Sequence, residues 1–222
     1  MQTYATPAPI AAVLDIPAGR VQFVAGERAD TTVRVLPADA AKRRDVKAAE
    51  QTTVEYGDGV LRIVTAAAAH QLLGPSGSLD VVVELPAGSR LEVRAASAEL
   101  RAAGRFGDVA YDGAHGAIDL GEVTGARLAT QAGDVTIGRL TGPARISTAK
   151  GDIRITEAVR GDVVLSTQAG DVSVGAAPGV SASLDAGTSY GRIHNSLKNT
   201  GGTPELTIHA TTAAGDIAAR SL

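Results

Sequence analysis

Glycine–aspartate pairs recur along the second half of the chain, and their acids are the first residues whose type and spacing could do chemistry. Aspartates stacked on successive repeats could hold calcium, which prefers carboxylate and carbonyl oxygens. Calcium-binding β-rolls carry further strict glycines before the acid, and this chain lacks them. The pairs are therefore predicted to be turns, in which glycine supplies positive φ and aspartate accepts backbone N–H groups. The predicted turn residues are Gly107, Asp108, Gly133, Asp134, Gly151, Asp152, Gly170, Asp171, Gly215 and Asp216, with Asp162 in the same column.

The sequence does not bring together the sets of residues that other catalytic sites or a metal site would need. A polysaccharide hydrolase or lyase needs clustered carboxylates or acid/base pairs, whereas the acids at outward positions are isolated, as at Asp119 and Glu157. His194 and His209 fall in neighbouring repeat units and would approach each other if their strands stack, but no third zinc ligand is evident. The chain also lacks the G-x-S-x-G motif of a nucleophile elbow. We predict no enzyme, no catalytic, cofactor-binding or metal-binding residue, and no cofactor.

Two further segments have simple interpretations. "GPSGS" at Gly74–Ser78 has the glycine content of a phosphate loop but not its lysine or helix, so a flexible connection is favoured. "KRRDVK" at Lys42–Lys47 is a basic run typical of a solvated helix face, with docking of an acidic partner as the alternative.

Composition excludes several classes of function. Lys plus Arg number 21 and Asp plus Glu 24, for a net charge of -3, which argues against a nucleic-acid binder. Aromatic residues make up 3% of the chain and Trp is absent, so stacking platforms are scarce. The absence of Cys excludes disulfides and thiolate metal sites. No segment is long and apolar enough to predict membrane insertion.

The elements that carry these residues form a repeat of about 18 residues. Glycines that precede strand-like segments follow one another at steps of 17 to 24 residues, from Gly116 to Gly215. A second strand lies between each pair of glycines, and apolar residues alternate with Arg, Thr and Ser along both. Short strands with one apolar face bury it by stacking. The fold class is therefore predicted to be all-β: a single-chain β-solenoid, or β-helix-like repeat, in residues 86–222, with seven rungs.

Residues 1–85 are predicted to be a β-rich N-terminal cap that is continuous with the repeat. Tyr56–Gly59 is a hairpin signal, and residues 37–49 are the one predicted short helix, with Asp39 as its N-cap. The echo between Asp15–Val24 and Glu84–Val93 predicts two strands that each end at a Pro-Ala-Gly turn. His70–Ser78 is the one loop long enough to be a linker.

With these blocks in order, the chain resembles the bacterial family of β-strand-repeat proteins catalogued as putative adhesins of unknown function. The resemblance rests on "DIPAGRV" at Asp15–Val21, "LPAGS" at Leu85–Ser89, the Gly-Asp steps, and "GRIHNSLK" at Gly191–Lys198 followed by "GDIAAR". It covers nearly the whole chain and implies a single-chain β-solenoid. The adhesin name is an analogy from fold to function, and the resemblance implies no catalytic residues.

The favoured function is a non-catalytic scaffold or binding module that contacts a protein partner or a second copy through its regular faces. An adhesin-like surface protein that binds a glycan or another extracellular ligand is the alternative, and a β-helix hydrolase or lyase is the weakest hypothesis. The last rung is expected to be open to self-association through Ile208, Ile217 and Leu222. The N-terminal segment lacks a signal-peptide pattern, which predicts a cytoplasmic protein, or an extracellular one if a leader has been removed.

Overall fold

The computed structural model describes residues 1–66, 77–199 and 201–222. Almost every element in these residues is a strand, and the single helix is α1 (Arg43–Glu50). The strands, in chain order, are β1 (Gln2–Ala5), β2 (Ala11–Gly26), β3 (Asp30–Pro37), β4 (Thr52–Gly57), β5 (Val60–Thr65), β6 (Leu79–Pro86), β7 (Arg90–His115), β8 (Ile118–Ala132), β9 (Val135–Leu140), β10 (Ala144–Lys150), β11 (Ile153–Ala158), β12 (Gly161–Ala169), β13 (Val172–Ala176), β14 (Ala182–Tyr190), β15 (Ile193–Ser196), β16 (Leu206–Ala214) and β17 (Ile217–Ser221).

The strands stack as the rungs of a coil, which confirms the predicted β-solenoid. Each rung has one strand on each of two faces. Face 1 contains residues 126–132 of β8 with β10 and β12, and face 2 contains β9, β11 and β13. Neighbouring rungs pair in parallel on both faces, as between β8 and β10 and between β9 and β11. Nine rungs can be followed in the described residues, two of them supplied by the first 86 residues.

Alternation of apolar and polar residues builds the interior. Within one rung, Leu128 of face 1 and Val135, Ile137 and Leu140 of face 2 are at most 1% exposed. Full burial of such a side chain contributes about 1.5–3 kcal/mol. The inward side chains of all the rungs form a single cluster. Stacking of the rungs therefore buries the apolar side chains that a single rung would leave exposed to solvent.

The order of the last two rungs in space is the reverse of their order in the chain. β16 pairs with β12 on one side and with β14 on the other. β17 likewise lies between β13 and β15. The rung of β14 and β15, which we call the open rung, is therefore the end of the coil.

This arrangement overturns the prediction that Ile208, Ile217 and Leu222 form the open end. Ile208 is 0% and Ile217 1% exposed, because their strands have partners on both sides. Leu222 is half exposed and donates its N–H to Ala176 O at 3.0 Å, which places it beside β13.

The other end of the coil is closed by elements that run against the stack. β4 is antiparallel to β5 on face 1, while β3 is antiparallel to both β6 and β1 on face 2. The rings of Tyr4 and Tyr56 lie 5.4 Å apart and join the two edge strands. α1 lies against this end and is fixed by Asp45, whose Oδ1 accepts the Ser78 N–H at 3.0 Å.

The structure of the first 90 residues agrees with some of the local predictions and differs from others. The hairpin at Tyr56–Gly59 is confirmed, with positive φ at Asp58 and Gly59. The N-cap prediction is wrong: Asp39 Oδ1 accepts the Ala41 N–H in a preceding turn, and the helix begins at Arg43. β2 does not end at its Pro-Ala-Gly but continues around a corner at Gly19, whereas a turn does follow Pro86. His70 and most of the predicted linker and of "GPSGS" lie outside the described residues.

β2 pairs with β7 along most of its length. The first 85 residues therefore add rungs to the same coil as the repeats.

Candidate functional site

The corner between face 1 and face 2 carries most of the predicted turn residues. Gly133, Gly151, Gly170 and Gly215 have φ values from +142° to +152°. A Cβ atom on Gly170 would lie 2.1 Å from Gly151 O of the neighbouring rung. Glycine is therefore required here both for its backbone conformation and for the close approach of the rungs.

The aspartates of this corner form a ladder that joins successive rungs. Asp134 Oδ1 accepts the Asp152 N–H at 2.9 Å, and Asp152 Oδ1 accepts the Asp171 N–H at 2.8 Å. Asp171 Oδ1 accepts the Asp216 N–H at 2.7 Å. Each carboxylate thus fixes the backbone of the next rung rather than closing only its own turn. We call these four residues the aspartate ladder.

Asp108 and Asp162 do not belong to this ladder, so the prediction of a single column is wrong. They lie at the opposite corner, where the chain passes from face 2 back to face 1. Gly107 donates its N–H to Ser89 O at 2.9 Å, and Asp108 Oδ1 accepts from the Thr124 hydroxyl at 3.3 Å. The same Gly-Asp sequence therefore occurs at two different corners, because each rung has one corner from face 1 to face 2 and one from face 2 to face 1.

A column of inward threonines beside the ladder was not identified from sequence. The hydroxyl groups of Thr167, Thr212 and Thr188 donate to the corner-glycine carbonyls of the preceding rung, at 3.1, 3.0 and 3.1 Å. The hydroxyl groups of Thr167 and Thr212 belong to side chains that are at most 5% exposed, whereas Thr188 is half-buried. The available signal was a Thr three residues before five successive corner glycines, at residues 130, 148, 167, 188 and 212.

The aspartate ladder ends on an arginine at the open rung. Asp216 Oδ1 accepts the Arg192 N–H at 2.8 Å, and the Arg192 guanidinium lies 3.3 Å from Asp216 Oδ2. The bond from the Arg192 N–H, aided by the guanidinium charge, holds the pKa of Asp216 below its ordinary value. Arg192 has no carboxylate to offer to a further rung, so the ladder stops there.

The histidines are not brought together. His194 lies on face 2 beside Ala218, and His209 lies on face 1, where its Nδ1 is 3.3 Å from Asp185 Oδ2. The two rings occupy opposite faces, so the predicted approach does not occur. No group of three His, Asp or Glu side chains in residues 1–66, 77–199 and 201–222 is arranged to hold a metal ion. In the same ranges, no helix has the length and apolar character needed to span a bilayer.

The outward side of face 1 carries a shallow trough of about 630 Å³ that crosses the strands. Its floor includes Val13, Ala110 and Val164, which are half-buried. Arg127 and Arg145 stand side by side on the paired strands β8 and β10, and neither has an acidic partner among the described residues. The charged residues that line the trough are Arg90, Glu92, Asp108, Arg127, Arg145 and Asp162.

Three solved structures are similar to this chain over nearly its whole length. A putative adhesin from Bacteroides fragilis has a TM-score of 0.59 at 12% identity, over 98% of this chain and 95% of that one. A putative adhesin from Parabacteroides distasonis has a TM-score of 0.43 at 11% identity, with the same coverage of both chains. A putative cell adhesion protein from Clostridium sporogenes has a TM-score of 0.40 at 10% identity, over 100% of this chain and 98% of that one. The similarity to the Bacteroides fragilis protein shows that the two chains share a fold, but their sequence identity is too low to show a shared function.

Sequence comparisons give the family. No curated protein matches the chain significantly. The family model described as Toastrack DUF4097 matches residues 13–221, which confirms the resemblance inferred from the ordered blocks. Because the match extends from the first rung in the chain to the last strand, this protein belongs to the Toastrack DUF4097 family.

Proposed function

We propose that the chain is a non-catalytic scaffold, whose trough on face 1 binds an acidic segment of a protein partner. The observation that carries this proposal is the pair Arg127 and Arg145, which lie on neighbouring strands in direct register. Two like charges on neighbouring strands of a sheet repel each other. An arrangement that costs stability and has no internal partner is expected where an external anion completes it.

The surroundings of this pair favour docking rather than chemistry. The half-buried Val164 and Ala110 provide an apolar floor next to the arginines. Of the three acids in the trough, Asp108 and Asp162 lie three rungs apart, about 14 Å at about 4.8 Å per rung. Glu92 is paired with Arg94 at 2.6 Å. Two-carboxylate hydrolysis needs a separation of about 5–9.5 Å. This spacing counts against the hydrolase or lyase hypothesis.

The second candidate is an adhesin-like surface protein that binds an acidic glycan at the same trough. The shared fold with a protein described as a putative adhesin favours it. The two candidates differ in the ligand, which is a polypeptide for the scaffold and a glycan for the adhesin-like protein, and in where the protein is located in the cell. Cell fractionation distinguishes a surface protein from an internal scaffold.

Binding to defined polymers tests both candidates. Immobilised polyglutamate stands for an acidic protein segment, polygalacturonate for an acidic glycan, and dextran is the neutral control. The double variant Arg127→Ser/Arg145→Ser is expected to weaken binding to the preferred polyanion at least tenfold. Arg154→Ser is the matched control, because Arg154 is an exposed arginine of face 2 with no ion-pair partner among the described residues.

Each outcome decides between the candidates. Preference for polyglutamate supports the scaffold, and preference for polygalacturonate with a surface location supports the adhesin-like protein. Binding to neither polymer, or equal loss in the double variant and the control, would overturn the trough as the ligand surface.

A further inference from the structure

The two ends of the coil differ in how their strand edges are covered. At one end, the outermost strand of face 1 is β4, which is antiparallel to β5, and on face 2 β3 and the four-residue β1 lie outside β6. At the other end, β14 pairs only with β16, and β15 only with β17, among the described residues. Unpaired strand edges are templates for association with another chain. The open rung is therefore the surface most exposed to pairing.

Backbone hydrogen bonds show what the open rung lacks. The Gly170 N–H donates to Ala214 O at 3.0 Å, and the Val172 N–H donates to Asp216 O at 2.9 Å. One rung further, Gly215 and Ile217 donate in the same way to Tyr190 O and Arg192 O, both at 2.9 Å.

In the open rung, Gly191 and Ile193 hold the equivalent positions. Their N–H groups have no acceptor in the described part of the chain. The donors that would bind a further rung are in place and unused.

Apolar side chains accompany these free donors. Tyr190 is 80% and Ile193 45% exposed, although both lie beside the corner that is closed in every inner rung. Leu184 is half-buried, whereas Ile208, its partner in the neighbouring rung, is fully buried. The end of the core is thus partly open to solvent.

The edge strands have few of the usual defences against pairing. Charged side chains (Lys above all), Pro, bulges and short length protect natural edge strands. β14 (ASLDAGTSY) carries the charged Asp185 and β15 (IHNS) has only four residues, but neither strand contains Lys or Pro.

We propose that two copies of this chain pair end to end through their open rungs, with Tyr190 and Ile193 at the contact. A coil end presents two edges on opposite faces at a fixed separation. The same end of a second copy matches both edges at once under two-fold symmetry, whereas a single extended peptide would pair with one. Isologous contacts of this kind close as dimers.

Two features limit the assembly to a dimer. At the opposite end, β4 is antiparallel to the stack on face 1 whereas β1 is parallel to it on face 2, so that end does not offer both edges in the direction of a further rung. Arg192 replaces the aspartate that would continue the ladder into a following rung. The trough lies on the outward side of face 1, so dimerisation and ligand binding are separable, and failure of one leaves the other intact.

Sedimentation equilibrium of the full chain tests the proposal. The wild-type protein is expected to reach twice its 22.4 kDa mass as concentration rises. Ile193→Lys places a charge on the edge and should weaken dimerisation at least tenfold. Tyr190→Ser should also weaken it, and folding should be unaffected because Tyr190 is largely exposed. Val64→Lys is the control, since Val64 is a 36%-exposed residue near the covered end.

The outcomes are distinct. A dimer lost in Ile193→Lys and in Tyr190→Ser but kept in Val64→Lys supports the proposal, provided that circular dichroism melts coincide. Wild-type protein that stays at 22.4 kDa at every concentration would refute it. A dimer that is insensitive to both variants, or a stepwise series of larger species, would also refute it.

Discussion

Replacement of Thr212 by valine removes one hydroxyl from the inward threonine column and leaves the shape of the side chain unchanged. Thr212 is 5% exposed, and its hydroxyl donates to Gly170 O at 3.0 Å. Thr211, the next residue on β16, points outward and is exposed. Thr211→Val is therefore a control with the same chemical change on the same strand.

The expected cost follows from the loss of this bond. A neutral hydrogen bond contributes about 1 kcal/mol net, and a carbonyl left unpaired in a shielded position costs about 1–3 kcal/mol. The Gly170 carbonyl lies in a half-buried corner, so water can recover part of the loss. We expect Thr212→Val to lower the free energy of unfolding by about 1–2 kcal/mol, and Thr211→Val to stay within about 0.5 kcal/mol of wild type.

Urea and thermal unfolding followed by circular dichroism measure both effects. For a chain of this size, about 1 kcal/mol shifts Tm by roughly 2–4 °C, so Thr212→Val should lower Tm by roughly 2–8 °C. Equal Tm values for the two variants, or a more stable Thr212→Val, would show that the hydroxyl column does not hold the rungs together.

The remaining predictions concern the aspartate–glycine corner and the order of the rungs. Gly170→Ala should destabilise the fold by about 3 kcal/mol or more, because it combines strain at positive φ with a clash, whereas Gly187→Ala, whose Cβ meets nothing within 4 Å, should be close to neutral in the same melts. The pKa of Asp216 is lowered in the folded state, so the stabilisation that this carboxylate provides is complete above its unfolded pKa of about 3.9 and is lost as pH falls through its folded pKa. NMR titration of the Asp216 carboxyl group should show a pKa below about 3.9. A pKa at or above that value would contradict the bond from Arg192. Deletion of residues 217–222 should abolish cooperative unfolding, because β17 is an inner strand with partners on both sides, and a sharp transition near the wild-type Tm would show that β17 is dispensable.

The periodic features of this fold could be predicted from sequence because each rung repeats the same local requirements. Alternation of apolar and polar residues indicates the strands, and the corner glycines mark where the chain turns. The prediction that the aspartates accept backbone N–H groups is correct for Asp152. The N–H that it accepts, however, belongs to the next rung and not to its own turn. Local patterns do not reveal which rung is next.

The order of the rungs could not be predicted because both orders satisfy the same pattern. Strands at residues 182–196 and 206–221 have the same spacing of Thr, Gly and apolar residues, so either could follow β13. Arg192 stands where four inner corners have aspartate, and an arginine side chain cannot accept the N–H of a further rung. Ala117 also interrupts the aspartate column, at an inner rung, so a break in the column does not by itself identify the last rung.

The exchanged order also explains how the coil keeps a stable end with unpaired edges. In the observed order, β17 has a partner on each side, and the open rung is an internal segment tied to the fold at both of its ends. A rung held in this way keeps its free Ile193 N–H and its exposed Tyr190 ring in fixed positions. Fixed geometry lowers the entropy cost of binding, so the exchanged order prepares the open rung to pair with a second copy.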